Sequence, residues 1–432
     1  MRGKRVPLVT VLFISLAMLL SATQYAHADT SLVPPPTNLA ATAVSSSEIH
    51  LSWTAPSVFG LVVTGYEIER STDGGLTWNV LVANTGSTAT TYSDTGGLAH
   101  STTYTYRVHT VTTIGTSFPS DTASATTFAV APSPPTGLAA TAVSSTQISL
   151  RWTAPADNGG SAVTAYQIER STNGGNTWST LVNTCGTSTS CSDTGLPHAT
   201  TFTYRVSAIN SIGTSSPSNT ASATTLAVAP SSPSGLAATA VSSSQINLTW
   251  TAPTDNGGSA ITGYKIERST DGGTTWTTLV ANTGNTPTTY SDTGLAHTTN
   301  YTYRVSAINS IGTSSVSGTV SATTLIATPS PPTGLTATAA SSSQVSLTWT
   351  APTDNGGSAI TGYKIERSTD GSTWTTLVAN TANTAATYSD TGLTRATAYS
   401  YKVSAINSAG TGSPSSTASA TTLSVAPSPP TG

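Results

Sequence analysis

The chain has 432 residues, of which only 8% are charged, and its formal net charge is -3. Typical soluble domains carry about 25% charged residues, and no basic run follows the first few residues here. The sequence therefore lacks the cationic surface that nucleic-acid binding requires, and nucleic acid is excluded as an expected partner. The chain is also too long for one ordinary domain, so several domains are expected.

The first 28 residues have the pattern of a signal peptide. A positively charged start, Met1 to Arg5, precedes a mostly apolar run, Val6 to Ala22, and a small-x-small sequence at Ala26 to Ala28. An uncleaved membrane anchor is the alternative, but the run is short for a bilayer span. We expect cleavage after Ala28. The protein is then secreted, extracellular or associated with the cell surface, with no membrane insertion after cleavage.

The tryptophans reveal an internal repeat of about a hundred residues. One set precedes a turn in each repeat, and a second set follows the next turn: Trp53, Trp152, Trp250 and Trp349, then Trp78, Trp178, Trp276 and Trp374. This spacing predicts four tandem domains, at residues 31–128, 129–226, 227–325 and 326–423. Residues 424–432 are predicted to be a linker and the start of a truncated fifth repeat, because "SPPTG" at 428–432 also occurs at 133–137.

Within each repeat, apolar residues alternate with polar ones, which indicates strands with one buried face. In the third repeat this pattern predicts seven strands: Gly235 to Val241, Gln245 to Thr251, Ile261 to Ser269, Thr275 to Ala281, Thr288 to Ser291, Asn300 to Ile308 and Gly318 to Leu325. Seven short strands in about a hundred residues are typical of a two-sheet sandwich. The predicted fold class is therefore all-β, with four seven-stranded immunoglobulin-like sandwiches in an extended array.

Two stretches of the third repeat resemble fibronectin type III domains: "PSGLAATAVSSSQINLTWTAPTDNGGSAITGYKIERS" and "TGLAHTTNYTYRVSAINSIGTS". The resemblance covers nearly all of the chain after the signal peptide. It implies a tyrosine corner, in which a tyrosine of the sixth strand is tied to the preceding loop, at Tyr104, Tyr301 and Tyr399. The second repeat departs from this pattern, because Phe202 stands there without a hydroxyl group.

An Asp-box sequence, S-x-D-x-G-x-T-W, occurs after the third strand and raises the question of a sialidase-like site. The four copies read "STDGGLTW", "STNGGNTW", "STDGGTTW" and "STDGSTW". In the second copy Asn173 replaces the acid, and a catalytic carboxylate does not tolerate that change. Asp, Asn and Gly all suit a hairpin turn. The sequence therefore predicts a turn.

No other pattern in the sequence is typical of a catalytic site. We therefore expect no catalytic residue, no bound metal, no cofactor and no enzymatic activity. His100, His198 and His297 recur in the turn before the sixth strand and are expected to be solvated. "DNGG" at Asp157, Asp255 and Asp354 supplies one acid per loop, too few for calcium, and is expected to be a turn. His50 and His109 occur only in the first repeat, and a metal site there is not expected.

Charged residues on the third and sixth strands are expected to form exposed cross-strand ion pairs. The pairs are Glu69 with Arg107, Glu169 with Arg205, Glu267 with Arg304 and Glu366 with Lys402. Cys185 and Cys191 are the only cysteines, and export predicts that they form a disulfide. Asn247 and Asn300 head glycosylation sequons on solvent-facing positions, and whether they are modified is left open.

The first repeat has a different sequence at the loops after its second and sixth strands. "SVFGLVV" at 57–63 replaces "DNGGSAI", and Phe118 lies in the later loop. Phe59, Leu61 and Phe118 are predicted either to form an exposed apolar tip that contacts a ligand or to plug the uncovered end of the first core. Both alternatives remain open.

These observations predict an exported, non-enzymatic, modular adhesion or spacer protein that presents or links ligands at the cell surface. Its ligand is expected to be a protein or a polysaccharide. The alternative is the accessory region, for spacing or carbohydrate targeting, of a secreted polysaccharide-degrading enzyme whose catalytic domain lies beyond Gly432. The fold itself favours neither, because sandwiches of this type host many functions.

Overall fold

The computed structural model describes residues 33–181 and 185–426, and these residues form strands, turns and no helix. The predicted signal peptide at 1–28 and the predicted start of a fifth repeat at 428–432 lie outside the described residues. Within the described ranges, no helix has the length and apolar character needed to cross a membrane. The all-β prediction is confirmed.

The strands fall into four groups that match the four predicted repeats. The first group is β1 Thr37–Ala43, β2 Ile49–Thr54, β3 Val63–Ser71, β4 Asn79–Val82, β5 Thr91–Asp94, β6 Thr103–Thr112, β7 Gly115–Thr116 and β8 Ala123–Thr126. The second group is β9 Thr136–Ala142, β10 Gln147–Thr153, β11 Ala165–Ser171, β12 Ser179–Thr180, β13 Ser190–Thr194, β14 Thr201–Ile209 and β15 Ala221–Thr224.

The third group is β16 Ser234–Ala240, β17 Gln245–Thr251, β18 Ile261–Ser269, β19 Thr277–Val280, β20 Thr289–Thr293, β21 Asn300–Asn309 and β22 Val320–Thr323. The fourth group is β23 Thr333–Ala339, β24 Gln344–Thr350, β25 Gly362–Ser368, β26 Thr375–Val378, β27 Thr387–Thr391, β28 Ala398–Asn407, β29 Gly410–Thr411 and β30 Ala418–Thr421. Among the described residues, the second and third repeats thus show seven strands each, and the first and fourth add a two-residue strand.

Each repeat contains two antiparallel sheets. In the third repeat one sheet has the order β16-β17-β20 and the other has the order β19-β18-β21-β22. The other repeats follow the same plan, with β8 pairing β6 in the first and β30 pairing β28 in the fourth. The third and sixth strands are neighbours, as predicted, and Glu267 lies opposite Arg304 in their register.

Each repeat has its own buried core, because the alternating apolar residues of both sheets face each other. The indole of Trp250 is 5% exposed and packs edge-on against Tyr264, with ring centroids 5.1 Å apart. Apolar side chains from both sheets complete the cluster, including Ile246, Leu248 and Val305. Equivalent clusters form around Trp53, Trp152 and Trp349. The second set of tryptophans lies outside these cores.

The fold divides into two compact units. One unit holds residues up to Leu196 together with Thr201–Thr225, and the other holds Pro197–Thr200 together with the residues from Leu226 onward. The first and second repeats therefore belong essentially to the first unit, and the third and fourth repeats belong to the second unit.

Candidate functional site

The "DNGG" loop of the second repeat is a tight turn built by its own side chains. The carboxylate of Asp157 accepts a hydrogen bond from the Gly159 N–H at 2.8 Å, and the Asn158 side-chain oxygen accepts one from the Gly160 N–H at 2.9 Å. Gly159 and Gly160 have φ values of +72° and +79°, which favour glycine. The turn prediction is correct, but the loop does more than reverse the chain.

This loop also holds the linker that leads into the second repeat. The Val130 N–H donates to the Gly159 carbonyl at 2.8 Å, and the Ser133 N–H donates to the Asp157 carbonyl at 2.9 Å. The Asn210 side-chain amide donates to the carbonyls of Val130 and Asn158, at 2.7 and 2.9 Å. A Cβ atom on Gly159 would overlap the Val130 carbonyl, so glycine is needed for this contact.

The same loop binds the preceding repeat. His100, in the turn before β6, places its Nε2 2.6 Å from Oδ2 of Asp157, and the Ser101 hydroxyl donates to the Gly160 carbonyl at 3.3 Å. A Cβ atom on Gly160 would overlap the Ser101 side chain. The pKa of Asp157 is held below its ordinary value by the hydrogen bond from the Gly159 N–H and then by His100. The loop and the turn together form the joint between the first and second repeats.

The second unit contains the same arrangement. His297 Nε2 lies 2.9 Å from Asp354 Oδ2, and a Cβ atom on Gly357 would overlap the Thr298 side chain. Within this unit His198 also pairs with Asp255, at 3.1 Å. The expectation that these three histidines are simply solvated is therefore wrong. A signal was present in the sequence, because each histidine precedes its aspartate by 57 residues.

The Asp-box sequences are hairpin turns. In the third repeat Asp271 accepts hydrogen bonds from the N–H groups of Thr274 and Thr275 at 3.0 and 2.9 Å, and the Ser269 hydroxyl donates to it at 2.6 Å. The bonds from Ser269 and Thr275 hold the pKa of Asp271 well below its ordinary range. Asn173 accepts the equivalent bonds from Ser171 and Thr177. Because the amide serves as well as the carboxylate, the geometry is that of a turn.

The tryptophans of the second set lie on the outer face of the larger sheet, beneath a cation. The guanidinium carbon of Arg304 lies 4.2 Å from the ring centroid of Trp276, and Gly273 lies close to the same indole. The same stack forms between Trp78 and Arg107, Trp178 and Arg205, and Trp374 and Lys402. Since a cation covers a face of each indole, a sugar ring would have to displace that cation to stack there.

Three of the four predicted cross-strand ion pairs form, at Glu69, Glu169 and Glu267. The prediction for the fourth pair is wrong, because Glu366 pairs with Lys364 at 2.8 Å and Lys402 lies over Trp374 instead. Glu267 is only 6% exposed and accepts hydrogen bonds from Arg304 at 2.9 Å and Lys265 at 2.8 Å. Burial pushes the pKa of Glu267 upward, but the bonds from Arg304 and Lys265 outweigh it and lower the pKa overall. The prediction that the pair is exposed is wrong for Glu267, which is buried and has its carboxylate bonded by both Arg304 and Lys265.

A buried acid recurs at the end of the fifth strand of every repeat, and no sequence motif pointed to it. Asp292 is 4% exposed, accepts a hydrogen bond from the Tyr303 hydroxyl at 2.9 Å, and pairs with Arg268 at 2.9 Å. Burial, followed by the bond to Asp292, raises the pKa of Tyr303 far above its ordinary value. The equivalent groups are Asp94 with Tyr106 and Arg70, Asp193 with Tyr204 and Arg170, and Asp390 with Tyr401 and Arg367.

The other histidines have partners that explain them without a metal. His50 lies 2.8 Å from Glu48, and His109 bonds Glu69 and the Ser117 carbonyl, both at 2.9 Å. Among the described residues, no group of three or more His, Cys, Asp and Glu side chains is placed to hold a metal ion. That no metal, cofactor or catalytic residue is used stays a prediction.

The residues of the predicted apolar tip are placed at the surface of the first repeat. The Phe59 side chain is fully exposed, Phe118 is 60% exposed, and Leu61 is half-buried. None of the three belongs to the buried cluster around Trp53 or to the partly buried residues packed against it. Their position does not favour the alternative that they plug the core. The contact-tip interpretation stays a prediction.

The remaining predicted sites lie in the second and third repeats. Cys185 and Cys191 form a disulfide, with Cα atoms 5.7 Å apart. Asn300 is exposed, whereas Asn247 is half-buried and accepts hydrogen bonds from Gln245 at 2.8 Å and Ser291 at 2.9 Å. Asn247 therefore lies on the outer face of its strand, opposite to the buried Ile246 and Leu248, but its side-chain oxygen is engaged by two neighbours. Glycosylation of either residue stays a prediction.

The predicted tyrosine corners are present. The Tyr104 oxygen accepts a hydrogen bond from the Ala99 N–H at 2.8 Å, the Tyr301 oxygen accepts one from the Ala296 N–H at 3.1 Å, and the Tyr399 oxygen accepts one from the Thr394 N–H at 3.0 Å. Together with the two-sheet topology, these corners define the class as immunoglobulin-like sandwich repeats.

The chain belongs to the fibronectin type III family. The family model of the fibronectin type III domain matches residues 34–126, 133–224, 231–323 and 330–422. Each match covers one of the four two-sheet repeats.

The chain is similar to proteins of different kinds. It is 39% identical over 301 residues to Exoglucanase B of Cellulomonas fimi, covering 67% of this chain and 25% of that protein. It is 41% identical over 304 residues to Exoglucanase A of the same organism, covering 67% of this chain and 32% of that protein. It is 28% identical over 397 residues to the striated-muscle M-protein of Gallus gallus, covering 89% of this chain and 27% of that protein. The chain thus spans a third or less of these relatives.

Proposed function

We propose that this chain is an exported, non-enzymatic spacer that holds other groups at a set distance from one another at or outside the cell surface. The observation that carries the proposal is the joint between neighbouring repeats. At the joint of the first unit, the linker, the preceding turn and the following loop are bonded together through Val130, His100 and Asp157. Such a joint restricts the rotation that a bare flexible linker would allow.

The cations that lie over the second set of tryptophans support a spacer function more than a carbohydrate-binding function. Proteins that bind polysaccharides by stacking need an indole or phenol face that is free to meet the sugar ring. Each of the half-buried indoles, Trp78, Trp178, Trp276 and Trp374, lies against Arg or Lys instead. The cation–π contact stabilises the larger sheet and leaves the stacking face occupied.

A second function is favoured by the relatives named exoglucanase. Two of them share 39% and 41% identity with this chain over 67% of its length. The chain would then be the spacing region of a polysaccharide-degrading enzyme. Adhesion is a third candidate function. In that case the apolar tip at Phe59 and Phe118 would hold a protein or polysaccharide ligand.

Sedimentation with insoluble polysaccharides distinguishes these functions. The full chain is mixed with microcrystalline cellulose or with chitin, and the supernatant is assayed for protein and for released sugars. The spacer proposal predicts that the protein stays in the supernatant and that no sugar is released. Binding that is lost in the variant Phe59→Ser/Phe118→Ser would establish an adhesive tip, and release of sugar would overturn the non-enzymatic proposal.

A further inference from the structure

The second repeat differs from the other three at two cross-links, and the first is the disulfide. Cys191 lies on β13 opposite Leu150, at the position that Tyr92, Tyr290 and Tyr388 occupy on the equivalent strands. Those tyrosines are packed against the cores of their repeats, and in the second repeat Cys185 and Cys191 are packed there instead. The disulfide thus takes the place of an aromatic side chain.

The second difference is at the tyrosine corner. In the other repeats an N–H group donates to a tyrosine oxygen five residues later, from Ala99 to Tyr104 and at the equivalent pairs. In the second repeat the five-residue spacing places Pro197 before Phe202. Proline has no N–H group and phenylalanine has no hydroxyl group, so donor and acceptor are both missing. The second repeat therefore lacks the hydrogen bond of the tyrosine corner.

The second repeat thus has a disulfide where its siblings have a core-packed tyrosine, and it lacks the tyrosine corner that they have. Both sulfurs belong to half-buried residues, which a small thiol reagent can approach. The disulfide joins β13 to the segment that precedes it, a sequence separation of six residues. A disulfide stabilises the folded state mainly by restricting the unfolded chain. Its reduction removes this restriction, and no tyrosine stands at either position to replace it.

We propose that the second repeat is the redox-responsive unit of the chain: reduction of Cys185–Cys191 by a dithiol loosens this repeat while the other three stay folded. In the reaction the dithiol supplies two electrons and two protons. The bond between the two sulfurs breaks, a thiol forms on Cys185 and another on Cys191, and the dithiol closes into its own disulfide.

Limited proteolysis of the full chain tests the proposal, with mass spectrometry assigning each cleavage to a repeat. When opening is fast relative to cleavage, the rate reports the population of the open state. We expect dithiothreitol to raise cleavage within residues 129–226 by about tenfold or more, with cleavage of the other repeats unchanged. Unchanged cleavage in the second repeat, or an equal rise in all repeats, would overturn the proposal.

Sibling residues supply the matched controls. The variant Cys185→Gly/Cys191→Tyr carries the residues that the first and third repeats have at these positions, Gly86 with Tyr92 and Gly284 with Tyr290. We expect it to resist cleavage with or without the dithiol. The variant Cys185→Ser/Cys191→Ser should be cleaved rapidly under both conditions, and resistance in this variant would contradict the proposal.

A third variant tests the contribution of the missing corner. Pro197→Ala/Phe202→Tyr restores a donor and an acceptor at the spacing found in the first repeat. We expect this variant to be cleaved more slowly than the reduced wild type in the presence of the dithiol. Equal cleavage of the two would show that the missing corner does not contribute to the sensitivity of this repeat.

Discussion

His100 Nε2 lies 2.6 Å from Asp157 Oδ2, which joins a turn of the first repeat to the loop after the second strand of the next repeat. The pair stands beside two glycines whose missing side chains allow the close approach of the linker and of Ser101. A single hydrogen bond at the surface contributes little net stability by itself, because it replaces bonds to water. The joint therefore depends on the whole set of contacts, of which the contact between His100 and Asp157 is one.

The first prediction concerns the glycine at the joint. Gly160→Ala places a Cβ atom against the Ser101 side chain, so the first and second repeats must move apart at this point. Gly74→Ala is the matched control, because its φ of +74° is close to the +79° of Gly160 but nothing lies within 4 Å of the added atom. Each substitution carries a backbone strain of about 1–2 kcal/mol.

We expect only Gly160→Ala to increase protease cleavage in the linker at residues 128–135. Cleavage is measured on the full chain and compared with the wild type and with Gly74→Ala. If both variants raise linker cleavage equally, backbone strain and not the joint contact would explain the result.

The second prediction concerns the buried acid of the third repeat. Asp292→Ala leaves Arg268 without its carboxylate partner and Tyr303 without its acceptor. Removing one partner of a buried ion pair costs about 3–5 kcal/mol, and we expect the third repeat to unfold at much lower denaturant. Tyr303→Phe removes a single hydrogen bond and should cost about 0.5–1.5 kcal/mol.

Hydrogen exchange of amides in the third repeat measures both changes. Asp271→Asn is the control, because Asn173 already fills the equivalent turn in the second repeat. We expect the amides of this control to exchange at nearly the wild-type rate. If Asp271→Asn raised amide exchange as much as Asp292→Ala, the two acids would have equivalent structural roles. That result would contradict the assignment of Asp271 to the turn and of Asp292 to a buried ion pair.

The third prediction separates the two tryptophans of the third repeat. Trp250 is 5% exposed and lies in the core cluster, so Trp250→Ala should lower the free energy of unfolding of this repeat by about 3–5 kcal/mol. Trp276 is half-buried under Arg304, and Trp276→Ala should cost about 1–2 kcal/mol. Denaturant unfolding followed by hydrogen exchange measures both values, and the reverse order would contradict the assignment of core and outer face.

The fourth prediction is a pH dependence at Glu267. Its pKa is lowered in the folded protein, because bonds from Arg304 and Lys265 outweigh the effect of burial. A lowered carboxyl pKa stabilises the folded state at pH above the ordinary glutamate value of about 4.3, and this contribution is lost as pH falls through the folded-state pKa. We expect the third repeat to lose stability as the pH falls from about 4.3 through the folded-state pKa of Glu267.

Glu267→Gln tests the source of this dependence. The variant is less stable at neutral pH, but it should lose less additional stability than the wild type on acidification. The comparison uses hydrogen exchange in the third repeat at neutral and acid pH. An identical acid loss in the two proteins would show that Glu267 does not contribute to it.

The strands could be predicted from the sequence because their signals are local. The bounds Gln245–Thr251 and Ile261–Ser269 agree with the prediction, and they follow from the alternation of apolar and polar residues. Tyr104 could also be identified, since a family resemblance fixes its position. The bounds of β19 and β22 are shorter than predicted, because the alternation of residue types does not mark where strand pairing ends.

The contacts between repeats could not be predicted in the same way. Asp157 and His100 are separated by 57 residues, and their meeting depends on how one sandwich packs against the next. The burial of Asp292 could not be predicted for a different reason. The sequence "SDTG" has the composition of a surface turn, but its acid is buried and accepts a hydrogen bond from Tyr303. Glu267 occupies an outward position by alternation but is buried, and the two cations that bond its carboxylate, Arg304 and Lys265, give no periodic signal of that burial.

Residual dipolar couplings test most directly whether the joint fixes neighbouring repeats within a unit. Amide couplings of the first and second repeats are measured on the full chain in one alignment medium. We expect a single alignment tensor to fit the couplings of both repeats, in the orientation set by the contact between His100 and Asp157. Separate tensors of different magnitude for the two repeats would contradict a fixed joint and, with it, the spacer function.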